Sequence, residues 1–203
     1  MDKVPEIVAA TTDEIELLGD ILGDAFADDP AMNWVIPHNG LYPAFYRLLA
    51  RRLYLPHQLV YRDTEARAAA MWLPPGVSSE MRLGIVQLWL VLRLVLHSGP
   101  GVLKHLEQAQ EVMTRRHPHE PHYYLHAIGA RRANQGQGLG SALLKHVTQR
   151  CDSEQMPAYL ESSTAKNVPL YERHGFEVTA EEPIGVGGPP LFFMWRKPRA
   201  LEG

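Results

Sequence analysis

Three glycines at alternate positions, in Gln135-Gly136-Gln137-Gly138-Leu139-Gly140, separate a strand-like run from a helix-like one. No other segment restricts the fold as much. Glycines so spaced let the backbone turn tightly with its N–H groups pointing inward. Backed by a helix N-terminus, such donors form a site for phosphate oxygens. The run before the loop, His122 to Gly129, reads as a strand. The run after it sets Leu139, Leu143, Val147 and Cys151 on one helical face. A plain strand-to-helix turn rarely needs three glycines.

Two familiar phosphate loops do not fit. The lysine-containing nucleoside-triphosphate loop has no matching string in the chain. The dinucleotide fingerprint needs a third glycine that falls on Ser141 when counted from Gly136, and on Leu143 when counted from Gly138. Glu161, about 20 residues downstream at a strand end, favours the dinucleotide reading. Against it, the remaining chain is too short for further strand–helix units, and strand–helix alternation before the loop is poor.

The 203 residues suit one domain, 1–203, carrying a helical insertion at about 79–117. Hydrophobic residues make up 45% and charged residues 21%, which excludes a disordered or fibrous chain. The net charge of −3 argues against a nucleic-acid partner. One cysteine, Cys151, excludes an intramolecular disulfide and reads as a buried, inert thiol. The longest apolar run, Leu83 to Leu96, is short of the roughly 20 residues a membrane span needs, and reads as a buried amphipathic helix. The N-terminus lacks the apolar stretch of a signal peptide. A cytoplasmic protein with no membrane partner is the expectation.

Short strands alternate with helices, as in an α/β (α+β) fold. Glu6 to Ala10 reads as a strand, and Thr11 with Glu14 as a capping box opening a helix that Asp28-Asp29-Pro30 stops. Leu41 to Leu53 marks a second helix; Gln58 to Asp63 and Arg67 to Leu73 form a strand pair. Ser79 to His117 is helical with a break at Ser98-Gly99-Pro100-Gly101, placed to wall a site. Ala158 to Ser162 is a strand, Asn167 to His174 a short helix ended by Gly175, and Phe176–Thr179 with Leu191–Trp195 a closing antiparallel pair.

The loop resembles the Gln/Arg-x-x-Gly-x-Gly/Ala segment of the GNAT superfamily of N-acetyltransferases, with Gln135, Gly138 and Gly140 at the fixed places. Tyr123-Tyr124-Leu125-His126-Ala127-Ile128-Gly129 looks like the family's fourth strand, and Ala158-Tyr159-Leu160-Glu161-Ser162-Ser163 like its fifth. Asn167 to Phe176, which reads Asn-x-x-x-Tyr-x-x-x-Gly-Phe, resembles the family's segment of asparagine, tyrosine and Gly-Phe. The resemblance covers roughly residues 122–198. It is closest to the branch that contains puromycin N-acetyltransferase.

The resemblance implies a mixed, mostly antiparallel sheet of six or seven strands flanked by helices, with a V-shaped opening between two central strands. It implies acetyl-CoA as co-substrate, with no metal, and direct acetyl transfer in a ternary complex to the primary amine of a small molecule, antibiotic-like or otherwise. A non-catalytic acyl-CoA sensor is the alternative. The expected state is a monomer or homodimer.

Acetyl transfer to an amine needs the acyl carrier held, the amine deprotonated and the leaving thiolate protonated. Holding falls to Gln135, Gly136, Gln137, Gly138, Leu139, Gly140 and Ser141, and through main-chain pairing to Ala127, Ile128 and Gly129. Glycine at 129 permits close approach. Tyr171 is the candidate general acid, because a phenol stays protonated at neutral pH. Asn167, four residues earlier on the same helical face, is expected to cap the helix and reach the acyl carrier. Glu161 is the candidate general base, and His126 and Tyr124 are expected on the acceptor side. Arg131 and Arg132 read as a solvated turn or as phosphate ligands. The tract His117-Pro118-His119-Glu120-Pro121-His122 reads as an extended link that keeps its imidazoles apart. Arg115-Arg116 reads as a solvated helix end, and Trp72, Trp89 and Trp195 as core or pocket wall.

Overall fold

The computed structural model describes residues 5–78 and 85–200. The first part of the expected 79–117 helical stretch, up to residue 84, lies outside the described residues.

Strand β1 (Ile7–Ala9) leads into a reciprocal cap, in which the Thr11 N–H donates to the Glu14 carboxylate at 2.9 Å, and then into helix α1 (Ile15–Ala25). Asp28-Asp29-Pro30 does stop α1, but it also starts a helix that the sequence reading missed, α2 (Pro30–Val35). Asp29 caps α2 by accepting from the Met32 N–H at 2.8 Å, and Pro30 needs no amide partner in the first turn. Helix α3 (Tyr42–Leu49) runs into a π-turn at Ala50–Tyr54. Strands β2 (Val60–Asp63) and β3 (Ala68–Leu73) form the expected hairpin.

Helices α4 (Ile85–Ser98) and α5 (Val102–Arg116) follow, broken where Gly99-Pro100-Gly101 predicts. Strand β4 (Tyr123–Ala130), helix α6 (Leu139–Ser153), strand β5 (Ala158–Ser162), helix α7 (Val168–Arg173) and strands β6 (Glu177–Pro183) and β7 (Pro190–Arg196) complete the order. Strand β6 runs four residues past the expected Thr179, held by β7 through pairs such as Glu182↔Leu191.

The strands form one seven-stranded sheet in the order β1-β2-β3-β4-β5-β7-β6. Every neighbouring pair is antiparallel except β4–β5. A parallel junction between antiparallel halves requires a crossover, and α6 supplies it. Each sheet face carries its own apolar cluster. One packs α1, α3, α4 and α5 on Tyr124, Tyr159 and Phe193; the other packs α6 and α7 on Trp72, Leu125, Leu160 and Met194. Leu139, Leu143, Val147 and Cys151 all face the second cluster and are buried, as their spacing predicts.

Helix α4 departs from a buried amphipathic helix. It turns Leu94 inward but leaves Leu88, Trp89, Leu92 and Leu96 exposed. Trp89 is therefore neither core nor pocket wall; the Arg93 guanidinium lies over its ring. Trp72 is core, and Trp195 is half-buried. Arg115 and Arg116 are exposed at the end of α5, as expected, and both also pair with Glu182 of β6, tying α5 to the sheet edge.

Candidate functional site

The parallel junction lasts three residue pairs, Tyr123↔Ala158, Tyr124↔Tyr159 and Leu125↔Leu160. Beyond it the strands part. Strand β4 stays with β3 through Ala127↔Met71, Ile128↔Ala70 and Gly129↔Ala69. Glu161 and Ser162 go with β7, opposite Phe193 and Phe192. The result is a V-shaped opening at the centre of the sheet.

A bulge sharpens it. The β3 register slips between Met71 and Trp72, so His126 has no opposing residue. The extra residue bends β4 and sets His126 and Ala127 consecutively on the cavity side, where strict alternation would separate them. Nothing in the sequence around His126 announces this.

A cavity of about 780 Å³ opens at the V. Ala127, Ile128, Glu161, Asn167 and Tyr171 all line it, together with Tyr124 and His126. Gly129 does not. A Cβ there would meet the Ala25 Cβ at 2.5 Å, so this glycine admits α1 against the sheet.

Glu161 lies where β5 leaves β4, with its Oε1 buried and without a hydrogen-bond partner. Burial pushes its pKa up to about 7, and the nearby Tyr124 and Tyr159 phenols offset part of that rise. His126 packs at 5.2 Å from the Tyr54 ring, and burial lowers its pKa to about 4. Tyr171 is packed edge-on to Phe176 and is buried apart from what it shows the cavity. Burial first, then the Asp29 carboxylate, raises its phenol pKa. It is therefore a phenol with a firmly held proton.

Asn167 ends a 3-10 turn (Ala165–Asn167) and precedes α7, but its side chain makes no capping bond. It holds the expected cap position without that bond. Thr164 satisfies the turn by accepting from the Lys166 N–H at 3.3 Å, and Asn167 is left facing the cavity. Arg196 fixes α7 from behind. It is buried, donates to the His174 carbonyl at 2.8 Å, and pairs with Asp152 of α6 at 2.7 Å.

The glycine loop leads off β4 through a 3-10 turn (Arg132–Asn134). Gly136 and Gly138 both take positive φ, 78° and 77°, which L-residues adopt at a cost. A Cβ at either would meet nothing within 4 Å, so the bend is open. Helix α6 makes its first bond from the Ala142 N–H to the Gly138 carbonyl at 3.0 Å. The amides of Leu139, Gly140 and Ser141 therefore precede the helical ladder and lack a backbone acceptor. Gly138, the cap residue, contributes no side chain. Gln135 and Gln137 are exposed, the Leu139 side chain is core, and the Ser141 hydroxyl is engaged with His174 Nε2 at 2.7 Å. An anion here would meet main-chain donors and the positive end of a 15-residue helix.

Arg132 pairs with Asp24 at 3.1 Å and Asp28 at 3.5 Å, and Arg131 donates to the Ala66 carbonyl. Both side chains brace the loop from below.

Two features escaped the sequence reading. Asp29 lines the cavity, and the Ser163 hydroxyl donates to its Oδ2; burial raises its pKa. An Asp-Pro pair is a helix-start signal, which could have found the cap but not the contact across the cleft. His117 and His122 are not kept apart. Their rings lie 4.9 Å from each other, in an aromatic cluster with Tyr124, Tyr159 and Trp195. Burial first, then His122 and His119, lowers the His117 pKa to about 4. Among the described residues no group of three or more ligating side chains could hold a metal ion.

Comparison with known proteins agrees with this geometry. A profile of the acetyltransferase (GNAT) family matches residues 105–176. An uncharacterised N-acetyltransferase of Schizosaccharomyces pombe is 26% identical over 169 residues, which are 76% of this chain and 67% of the relative. A crystal structure of a histone acetyltransferase and related acetyltransferase from Corynebacterium glutamicum superposes with a TM-score of 0.67 at 24% identity, covering 98% of this chain and 99% of that one. A polyamine N-acetyltransferase of Drosophila melanogaster superposes with a TM-score of 0.64 at 16% identity, covering 95% and 100%. At such identities the superpositions speak for the fold.

Proposed function

We propose that this chain is an acetyltransferase of the GNAT family and that it moves an acetyl group from acetyl-CoA to the primary amine of a small molecule, a reading supported by the family profile over residues 105–176 and by the relatives above. The observation that carries the reading is Glu161, a buried carboxylate with a partnerless oxygen at the mouth of the V, poised near neutral pH. A carboxylate buried without a partner is costly, and such groups gather at sites of chemistry.

The residues fit the ligand. The open bend at Gly136 and Gly138, with free amides from Leu139 to Ser141, suits a diphosphate; β4 past Leu125, with no partner strand on the β5 side, suits an extended arm bearing amides. Bound acetyl-CoA supplies an acyl group activated as a thioester. Glu161 takes a proton from the acceptor's ammonium, leaving a neutral nitrogen able to attack. Tyr171 gives its phenolic proton to the departing sulfur, and Asn167 faces the same space. The neutral nitrogen adds to the thioester carbonyl and the tetrahedral adduct expels the sulfur, so the C–N bond formed answers the C–S bond broken, and the proton shed by the new amide nitrogen restores the Tyr171 phenol.

A thermal-shift comparison tests the ligand. At one hundred times its dissociation constant acetyl-CoA adds about 2.7 kcal/mol of stability, and NADH adds none. Release of free thiol on addition of an amine tests the reaction. An acyl-CoA sensor binds acetyl-CoA and releases no thiol with any amine.

A further inference from the structure

The cavity extends past the V into a chamber between α3, α4 and α5. Its described lining there is mostly aliphatic and aromatic, with Phe45 and Leu49 from α3, Leu90 and Leu94 from α4, and Leu106 and Met113 from α5; the exposed Glu107, Gln110 and Thr114 of α5 add a polar rim. No lysine or arginine is among the described lining residues. Three carboxylates are, and their states differ. Asp29 has both oxygens engaged, one by the Met32 amide and one by the Ser163 hydroxyl. Glu107 is exposed on α5. Glu161 alone offers a buried oxygen without a partner.

We infer that the acceptor is a monoamine with a bulky, uncharged, apolar body, and that polyamines and amino-acid zwitterions are rejected. This rests on the acetyl-transfer reading above. The single ammonium is matched to the single partnerless carboxylate. A second ammonium held among Leu94, Leu106 and Met113 would lose water without a buried acceptor in its place, since Glu107, Gln110 and Thr114 stand at the exposed rim. An acceptor carboxylate would face the same walls without a cation to meet it. An apolar body gains from burial there, by roughly 25 cal/mol for each Å² removed from water. The cavity volume lies within the range of small-molecule sites.

The experiment measures thiol release at pH 8 with 2-phenylethylamine, tryptamine and octylamine against spermidine, agmatine and lysine. The expected kcat/KM is at least about 100-fold higher for the three apolar monoamines, a 2.7 kcal/mol preference. Equal or better turnover of spermidine, agmatine or lysine overturns the inference and leaves acetyl transfer standing. No turnover of any monoamine overturns it as well; the thermal shift with acetyl-CoA then decides whether the ligand reading survives. A variant adds a second readout. Met113→Glu places a carboxylate on the chamber wall, and is expected to lower kcat/KM for octylamine more than tenfold while raising it for spermidine. Its acetyl-CoA affinity stays unchanged. Loss of turnover on octylamine and spermidine alike in this variant, with acetyl-CoA affinity retained, counts against the inference.

Discussion

The Ser163 hydroxyl donates to Asp29 across 134 residues of sequence, and in doing so closes the cleft between the end of β5 and the start of α2. Asp29 thus serves two structures with one carboxylate, capping α2 through Oδ1 and anchoring Ser163 through Oδ2. Asp29→Ala should cost about 1–2 kcal/mol, seen as a melting point lower by roughly 2–8 °C. Asp29→Asn keeps a capping oxygen and should lose less. Thermal denaturation of the two variants side by side checks the order.

The pH dependence should belong to Glu161. As the base it works ionised, so kcat/KM should rise with pH and level off above a midpoint near 7. The buried histidines at the cavity, His117 and His126, lie near 4 and cannot supply that limb. Glu161→Gln should abolish it along with most of the rate. Folding gives the opposite sign. The pKa of Glu161 rises from 4.5 unfolded to about 7 folded, so the folded state binds the extra proton and stability falls as pH climbs between those values. Glu161→Gln should therefore melt higher than the parent at pH 8, by an amount on the order of 3 kcal/mol at most. The gap should close by pH 4.

Tyr171→Phe keeps the packing against Phe176 and removes the proton. Turnover should fall by roughly 10²-fold with acetyl-CoA affinity and melting temperature nearly unchanged. Steady-state kinetics beside calorimetric titration separates the two effects. Undiminished turnover removes Tyr171 from the role of acid.

Gly136→Ala puts a methyl group into the open bend at positive φ, touching no protein atom. The fold should lose only about 1 kcal/mol. Acetyl-CoA affinity should fall about tenfold or more, a difference of 1.4 kcal/mol. A titration with acetyl-CoA and one melting curve suffice.

Cys151 is fully buried, and burial pushes its thiol up to about 12. The native protein should resist an aromatic disulfide reagent that labels it at once in guanidinium. Cys151→Ala should leave turnover within twofold, since no acyl group passes through it.

The C-terminal half was legible because its signals are local. A glycine-rich bend, a helix face at every fourth residue from Leu139 to Cys151 and a strand end all declare themselves within short stretches of sequence. The residues Glu161, Asn167 and Tyr171 could be placed together for that reason. The rest depends on contacts between distant segments. The β4 bulge at His126 exists only against the β3 register. Gly129 owes its lack of a side chain to Ala25, a hundred residues earlier. His117 and His122 meet because both rings pack on Tyr159, a strand residue far along the chain. Asp29 reads as punctuation until Ser163 is brought to it.

The short parallel junction has a consequence for how the protein operates. Only Tyr123 to Leu125 bridge the two halves of the sheet, and the chamber draws its walls from both. A ligand whose extended arm carries amides, seated along β4 past Leu125, becomes a surrogate strand and finishes the sheet with non-peptide material. The thioester carrier is then part of the scaffold that gives the acceptor's chamber its working width. On the proposed reading the expected order of addition is carrier first and amine second, which initial-rate kinetics with product inhibition checks.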